Sequence, residues 1–230
     1  MIWLQYSSVI KTNKTNMIQI APSMLAADFL HLEKDVEMVN ENADLFHLDI
    51  MDGVFVPNIS YGFPVVEAIA KIAKKPLDTH LMIVEPEKYV ERFVKAGSAM
   101  VSFHLNATKD PDAVLAQIKE CGAKAGLVIN PDLPVESLFP HLKNCDFVML
   151  MSVFAGFGGQ KFIEETYARV RALKAEITRQ GLNIPIEVDG GVSASNAGAL
   201  IEAGAEILVA GSAVFRAEKP SEVISAMRLG

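Results

Sequence analysis

Cysteine is scarce in this chain, with 2 in 230 residues, Cys121 and Cys145, and neither stands in a metal-binding spacing. That excludes a disulfide framework and fits a reducing, cytoplasmic setting. Positive charge is short as well, with 21 Lys+Arg against 28 Asp+Glu for a formal net charge of -7. With no long basic block, nucleic acid is not expected as a partner, although a few backbone amides are enough to hold a phosphorylated small molecule. No apolar run reaches the ~18 residues of a membrane span, so no membrane association is expected. Residues 1–16 have lysines on the wrong side of a short apolar patch and no small-residue cleavage pattern, so they do not resemble a secretory signal. They read as a flexible N-terminal extension, with the catalytic domain over 17–230. Asn13-Lys14-Thr15 and Asn106-Ala107-Thr108 fit a glycosylation pattern but carry no weight without an export signal.

What is present is hydrophobic sequence, 50% of residues, arranged in short runs separated by helical segments. The runs are Ile18 to Met24, Leu45 to Ile50, Leu77 to Ile83, Met100 to Leu105, Ala125 to Asn130, Phe147 to Val153, Ile184 to Val188 and Glu206 to Ala210. Helices are expected from Asp28, as N-cap, to Asn40, and over Val65 to Lys71. Others follow Pro86 up to Gly97 and Asp110-Pro111 up to Cys121. The rest are a short one over Val135 to Leu142, a longer one over Glu164 to Arg179, one capped by Ser193 or Ser195 and ended by Gly204, and one from Pro220 to Met227. The strands are continuous apolar runs, as in a parallel sheet covered on both faces. Eight β-then-α units at this length predict an α/β chain folded as a single (β/α)8 TIM barrel rather than an open doubly wound sheet.

Within those runs, polar residues recur at strand ends. His47 and Asp49 lie two apart and therefore share a strand face, and Asp49 is a charge that needs a partner or a metal if buried. His80 and Asp189 occupy comparable positions in the third and seventh strands, and Ser23 follows the first. In a parallel barrel, active groups gather beyond the carboxyl ends of strands. Two imidazoles and two carboxylates make a four-ligand set for one divalent metal, zinc or iron first, with manganese or cobalt compatible with the oxygen ligands. A hydrogen-bonded His and Asp network without an ion is the alternative.

Glycine turns follow the last three strands: Gly156-Phe157-Gly158-Gly159, Gly190-Gly191 and Gly211-Ser212. Such turns let several amides converge on phosphate oxygens, and a phosphate site in the last loops is common in this barrel. Met51, Met82 and Met151 fall near strand ends, where a soft apolar wall would exclude water from a reacting centre. Core filling is the plainer role for Met38, Met100 and Met149.

From Ile18 onward the chain resembles the ribulose-phosphate 3-epimerase family. The resemblance rests on Ala21-Pro22-Ser23, His47-Leu48-Asp49-Ile50-Met51-Asp52-Gly53, Val56-Pro57-Asn58, His80-Leu81-Met82, Met151-Ser152-Val153, Gly156-Phe157-Gly158-Gly159-Gln160, Glu187-Val188-Asp189-Gly190-Gly191 and Ala210-Gly211-Ser212. It implies interconversion of D-ribulose 5-phosphate and D-xylulose 5-phosphate by inversion at C3, in the pentose phosphate pathway, by a homo-oligomer. It also implies that His47, Asp49, His80 and Asp189 bind the metal and that Asp49 and Asp189 are the acid/base pair. Ser23 and His80 would contact substrate, and the glycine turns with Ser212 would hold its phosphate. The chain departs from the family at Phe154-Ala155, where a polar residue and proline are usual, and at Leu105-Asn106-Ala107. These departures keep open a six-carbon ketose phosphate such as D-allulose 6-phosphate, and the fold alone keeps open a non-catalytic sugar-phosphate-binding barrel. Barrels that decarboxylate or condense sugar phosphates characteristically carry an Asp-x-Lys-x-x-Asp set at the second or third strand, and no lysine is so placed here.

Overall fold

A computed structural model describes residues 18–230. The expected extension over residues 1–16 lies outside the described residues. Eight strands form one parallel sheet in the order β1-β8-β7-β6-β5-β4-β3-β2. They are β1 (Gln19–Pro22), β2 (Phe46–Met51), β3 (Leu77–Met82), β4 (Ser98–His104), β5 (Lys124–Ile129), β6 (Phe147–Met151), β7 (Ile186–Asp189) and β8 (Ile207–Ala210). The ends of that order, β1 and β2, meet at an isolated parallel bridge between Ser23 and His47, which closes the sheet into a barrel. At the opposite end of this seam the amide of Asp44 donates to the carbonyl of Ile20 at 3.0 Å, and the Ile20 amide to the Asp44 carboxylate at 2.9 Å.

Both faces of the strands are covered, which is why every residue of β2, β3 and β6 is buried. The outward side chains, among them Phe46, Leu48, Leu81, Phe103 and Leu127, join the main core beneath the helices. Facing inward, Ala21, Leu45, Met100, Phe147, Ile207 and Val209 form a separate cluster that plugs the barrel. Gly126 makes that plug possible. It is paired in register with Phe147, and a Cβ at position 126 would sit 2.3 Å from the ring.

The helices are α1 (Leu32–Asn42), α2 (Phe63–Ala70), α3 (Val90–Lys95), α4 (Pro111–Glu120), α5 (Thr166–Arg179), α6 (Ala194–Ala203), α7 (Ser212–Phe215) and α8 (Pro220–Leu229). Several ends follow from the sequence as expected. Asp110 caps α4 by accepting from the Ala113 amide at 3.1 Å, and Gly204 ends α6 in the left-handed region at φ 117°. Of the two serines, Ser193 stands at the N-cap of α6, and its amide donates to the Asn196 side chain at 2.8 Å.

Two expectations need correction, the cap of α1 and the single helix after Pro86, and two details come from the structure alone. Asp28 does not cap α1: its carboxylate accepts from the Leu30 amide and pairs with His31, so it folds the turn and the helix begins at Leu32. The segment after Pro86 splits into a 3-10 turn over Pro86–Lys88 and the short α3. Val135–Asn144 is 3-10 throughout, with Pro140 inside it removing a donor an α-helix would require. The short α7 directly after β8 was not foreseen.

Candidate active site

β2 places His47 and Asp49 on one inward face, and register sets Asp49 beside His80 of β3. Asp189, the last residue of β7, arrives from the other side of the barrel mouth. One donor atom from each of these four side chains lies within 4.8 Å of the others. His47 Nε2 is 3.4 Å from Asp49 Oδ1 and 3.8 Å from Asp189 Oδ2. His80 Nδ1 is 3.3 Å and 3.8 Å from the same two oxygens. His47 and His80 are wholly buried, Asp49 nearly so, and Asp189 faces the opening.

Each member is held from behind. His47 Nδ1 is 2.6 Å from Asp78 Oδ2 and 3.5 Å from Glu187 Oε1. That bond turns Nε2 toward Asp49 and Asp189, where it is buried without a hydrogen-bond partner among the described residues. An imidazole nitrogen fixed this way by a carboxylate on its other face is the usual preparation for a metal bond, and the mixed N/O donor set suits a divalent transition ion. His80 Nε2 lies 2.9 Å from His104 Nε2, and the two rings stack at 5.0 Å. The Ser23 hydroxyl donates to Asp49 Oδ2 at 2.5 Å. The four residues therefore fit a metal ion.

The two mouth carboxylates differ in character. Burial would raise Asp49, but the positive charge of His47 and the contact with His80 outweigh it and hold the group well below the carboxylate range. Burial, followed by the negative charge of Asp49, pushes Asp189 up to about 6. Behind them, burial and the neighbouring Asp78 raise Glu187 well above its ordinary value. Burial lowers His47, but Asp49 and Asp78 outweigh it and leave the imidazole well above its usual range. Burial and then the charge of His80 hold His104 well below its range, and so neutral.

Above this cluster opens a cleft of about 280 Å³. Its wall includes Ser23, Asp49, Asp189, Met51, Met82, Met151, Gly156, Phe157, Gly158, Gly159, Gly190, Gly191, Gly211 and Ser212. All the glycine-turn residues singled out from sequence are thus brought to one rim, with the three methionines between rim and cluster. His47 and His80 lie behind Asp49 and do not line the cleft. Gly190 tolerates no side chain: φ is 116°, and a Cβ would fall 2.4 Å from Val153. The Gly156 turn is tied in place by Asn58, whose side chain donates to the Gly156 carbonyl at 2.8 Å, and by Gln160, which donates to the carbonyls of Phe154 and Phe157.

Sequence reasoning missed the roles of Asp78, Glu187, His104 and Asn58. For the first two a signal existed, since each precedes a candidate ligand by two residues on the same strand and so shares its face. His104 carried a similar sign, a lone imidazole ending an apolar run. Asn58 stood in the Val56-Pro57-Asn58 motif, but nothing in the local sequence gave it a role.

Comparison with known proteins identifies the family. The ribulose-phosphate 3 epimerase family model matches residues 19–215. The ribulose-phosphate 3-epimerase of Synechocystis is 49% identical over 214 residues, covering 92% of this chain and 93% of the relative. That of Bacillus subtilis is 44% identical, covering 92% and 99%. The chloroplastic ribulose-5-phosphate-3-epimerase of Arabidopsis thaliana is 45% identical, covering 96% and 80%. Among solved structures, orotidine 5'-phosphate decarboxylase from Pyrococcus horikoshii superposes with a TM-score of 0.67 at 14% identity, covering 91% of this chain and 97% of that one, which shows a shared barrel fold. With its family motifs gathered at one barrel mouth and matched along most of its length, the chain belongs to the ribulose-phosphate 3-epimerase family of isomerases.

Proposed function

We propose that this chain interconverts D-ribulose 5-phosphate and D-xylulose 5-phosphate by moving a proton between the two faces of C3, with Asp49 and Asp189 as the acid/base pair. The observation that carries the reading is the approach of these two carboxylates from different sides of the barrel, β2 and β7, onto one cluster, with their proton affinities driven apart. Inverting a carbon next to a carbonyl needs a base on one face and an acid on the other. Two carboxyls split in this way supply both near neutral pH. Ser23 orients Asp49 by its hydroxyl, while the orientation of Asp189 follows from its place at the end of β7. The methionine wall of Met51, Met82 and Met151 excludes water from the enediolate formed when the proton leaves. The Gly156–Gly159 turn, Gly190, Gly191, Gly211 and Ser212 would anchor the phosphate and so fix C3 between the carboxylates.

His47, Asp49, His80 and Asp189 would hold one divalent metal, zinc or iron first and manganese or cobalt next. Bound there, it supplies Lewis-acid stabilisation of the charge that develops on the substrate oxygens. Asp78 and His104 keep the two imidazoles in the tautomers that ligation requires. The similarity to relatives named ribulose-phosphate 3-epimerase favours the five-carbon substrate. A cytoplasmic homo-oligomer is part of the same reading. It is supported by the exposed apolar side chains Leu30, Val54 and Ile59 on the loops after β1 and β2.

The test is exchange at C3. Zinc-reconstituted protein is incubated with D-ribulose 5-phosphate in deuterium oxide and followed by NMR. Loss of the C3 proton signal with appearance of xylulose 5-phosphate is expected, slowed roughly 10²–10⁴-fold in Asp49→Asn and in Asp189→Asn. No exchange by the wild type would sink the substrate assignment, and the same measurement on allulose 6-phosphate would then separate a six-carbon epimerase from a barrel that only binds.

A further inference from the structure

A phosphate monoester carries close to two negative charges at neutral pH, and the cleft that is to receive it already holds two carboxyl groups at its floor. The glycine turns offer amide dipoles, but no formal charge. Among the described residues lining the cleft, one is cationic: Arg216. It follows α7 directly, and its amide donates to the Ser212 carbonyl at 3.1 Å. Arg216 is therefore one helical turn beyond Ser212 and shares its face. Its side chain is exposed at the rim and its guanidinium has no ion pair or hydrogen bond among the described residues. Most other arginines here are committed. Arg169 donates to the carbonyls of Met151, Asn130 and Leu133, Arg179 to Glu176, Arg228 to Asp44, and Arg92 lies 3.6 Å from the Phe63 ring centroid.

We propose that Arg216 is a substrate-binding residue that closes on the phosphate of the ketose phosphate from the β8–α7 side, supplying the charge the glycine turns lack. The inference rests on the phosphorylated substrate proposed above. A guanidinium fork pairs with two phosphate oxygens at once, and adding the charged fork to the uncharged turns fixes the position of the group as well as its charge. Because the phosphate does not change during proton transfer at C3, this contact contributes equally before and during reaction. Its loss therefore falls on KM and spares kcat.

The experiment compares wild type, Arg216→Ala and Arg216→Lys by calorimetric titration with inorganic phosphate and by steady-state epimerisation of D-ribulose 5-phosphate, with zinc affinity as the control for an intact barrel. In Arg216→Ala the phosphate Kd and the KM are both expected to rise about tenfold, equivalent to about 1.4 kcal/mol, with kcat within twofold and zinc affinity unchanged. Arg216→Lys, keeping charge without the fork, recovers part of the loss. Unaltered phosphate Kd in Arg216→Ala overturns the proposal, as does a loss of phosphate affinity matched by a loss of zinc affinity, since the defect would then lie in the fold. Failure of the wild type to bind phosphate overturns it too. The titration needs no turnover: a wild type that binds phosphate but leaves ribulose 5-phosphate unchanged sinks the substrate assignment, and the Arg216 comparison still decides.

Discussion

Replacing Asp78 by asparagine keeps the shape of the side chain and removes its charge from behind His47. The bond affected is the 2.6 Å contact between His47 Nδ1 and Asp78 Oδ2, with both side chains fully shielded from water. A hydrogen bond to a charged group in such a place is worth about 1.5–3 kcal/mol. Converted to an equilibrium, that is roughly a 10–100-fold loss of zinc affinity, the range typical for an outer partner of a ligating histidine. Glu187, 3.5 Å from the same nitrogen, is the next acceptor in line, so Glu187→Gln should cost less and the double variant more than either. Chelator competition gives the zinc dissociation constants, and thermal unfolding of the metal-free proteins shows whether the barrel itself is intact. Stability without metal should move little, because loss of the attraction to His47 is opposed by relief of the repulsion that raises Glu187. Zinc binding by Asp78→Asn as tight as the wild type, or a larger loss in Glu187→Gln, would refute the assignment of Asp78 as the residue that orients His47.

Two further outcomes follow from geometry away from the metal cluster. Gly126→Ala drives a methyl group into Phe147 at 2.3 Å and should cost about 1–3 kcal/mol by urea unfolding. Phe147→Leu in the same chain should restore part of it, and a neutral Gly126→Ala would show that the barrel plug is looser than its packing implies. Asp52 is held below its ordinary pKa: burial raises it, but hydrogen bonds from the amides of Val84, Val54 and Phe55 outweigh that. A group with a depressed folded pKa contributes stability above its unfolded value and loses it as pH falls through the folded one. Asp52→Asn should therefore lower the unfolding midpoint at pH 7, and the difference should shrink at acid pH, once the pH falls below the ordinary carboxylate value of about 3.9. An equal loss at both pH values would mean that the carboxylate charge is not what matters.

Much of the fold could be read from the sequence because a parallel barrel announces itself. Its strands must be apolar on both faces, so β2, β5 and β6 stand out as unbroken runs and a carboxylate inside one of them, Asp49, has to be explained. The same logic reached His47, His80 and Asp189. It stopped short of Asp78 and Glu187 because the strand-end rule reaches only the first tier of a site, and the second lies one pleat deeper. The role of Asn58 was hidden for another reason. It acts on a loop distant in sequence, meeting Gly156 across 98 positions. The start of α1 was misjudged because local chemistry, the Asp28 turn, competes with the periodic pattern, and the 3-10 form of Val135–Asn144 follows from Pro140 rather than from periodicity.

The seam between β1 and β2 has a consequence for how the molecule breathes. Neighbouring strands elsewhere share four or more registered residue pairs, or three between β7 and β8, while β1 and β2 touch through the single Ser23 to His47 bridge and the contacts of Asp44 and Leu45 with Ile20 at the far end. A structure opens first where its backbone bonds are sparsest. Here that line runs through Ser23 and His47, so parting the barrel would pull the serine hydroxyl from Asp49 in the same movement. Whatever binds across the mouth thus acts as a clasp, tightening the whole cylinder as it occupies its own pocket.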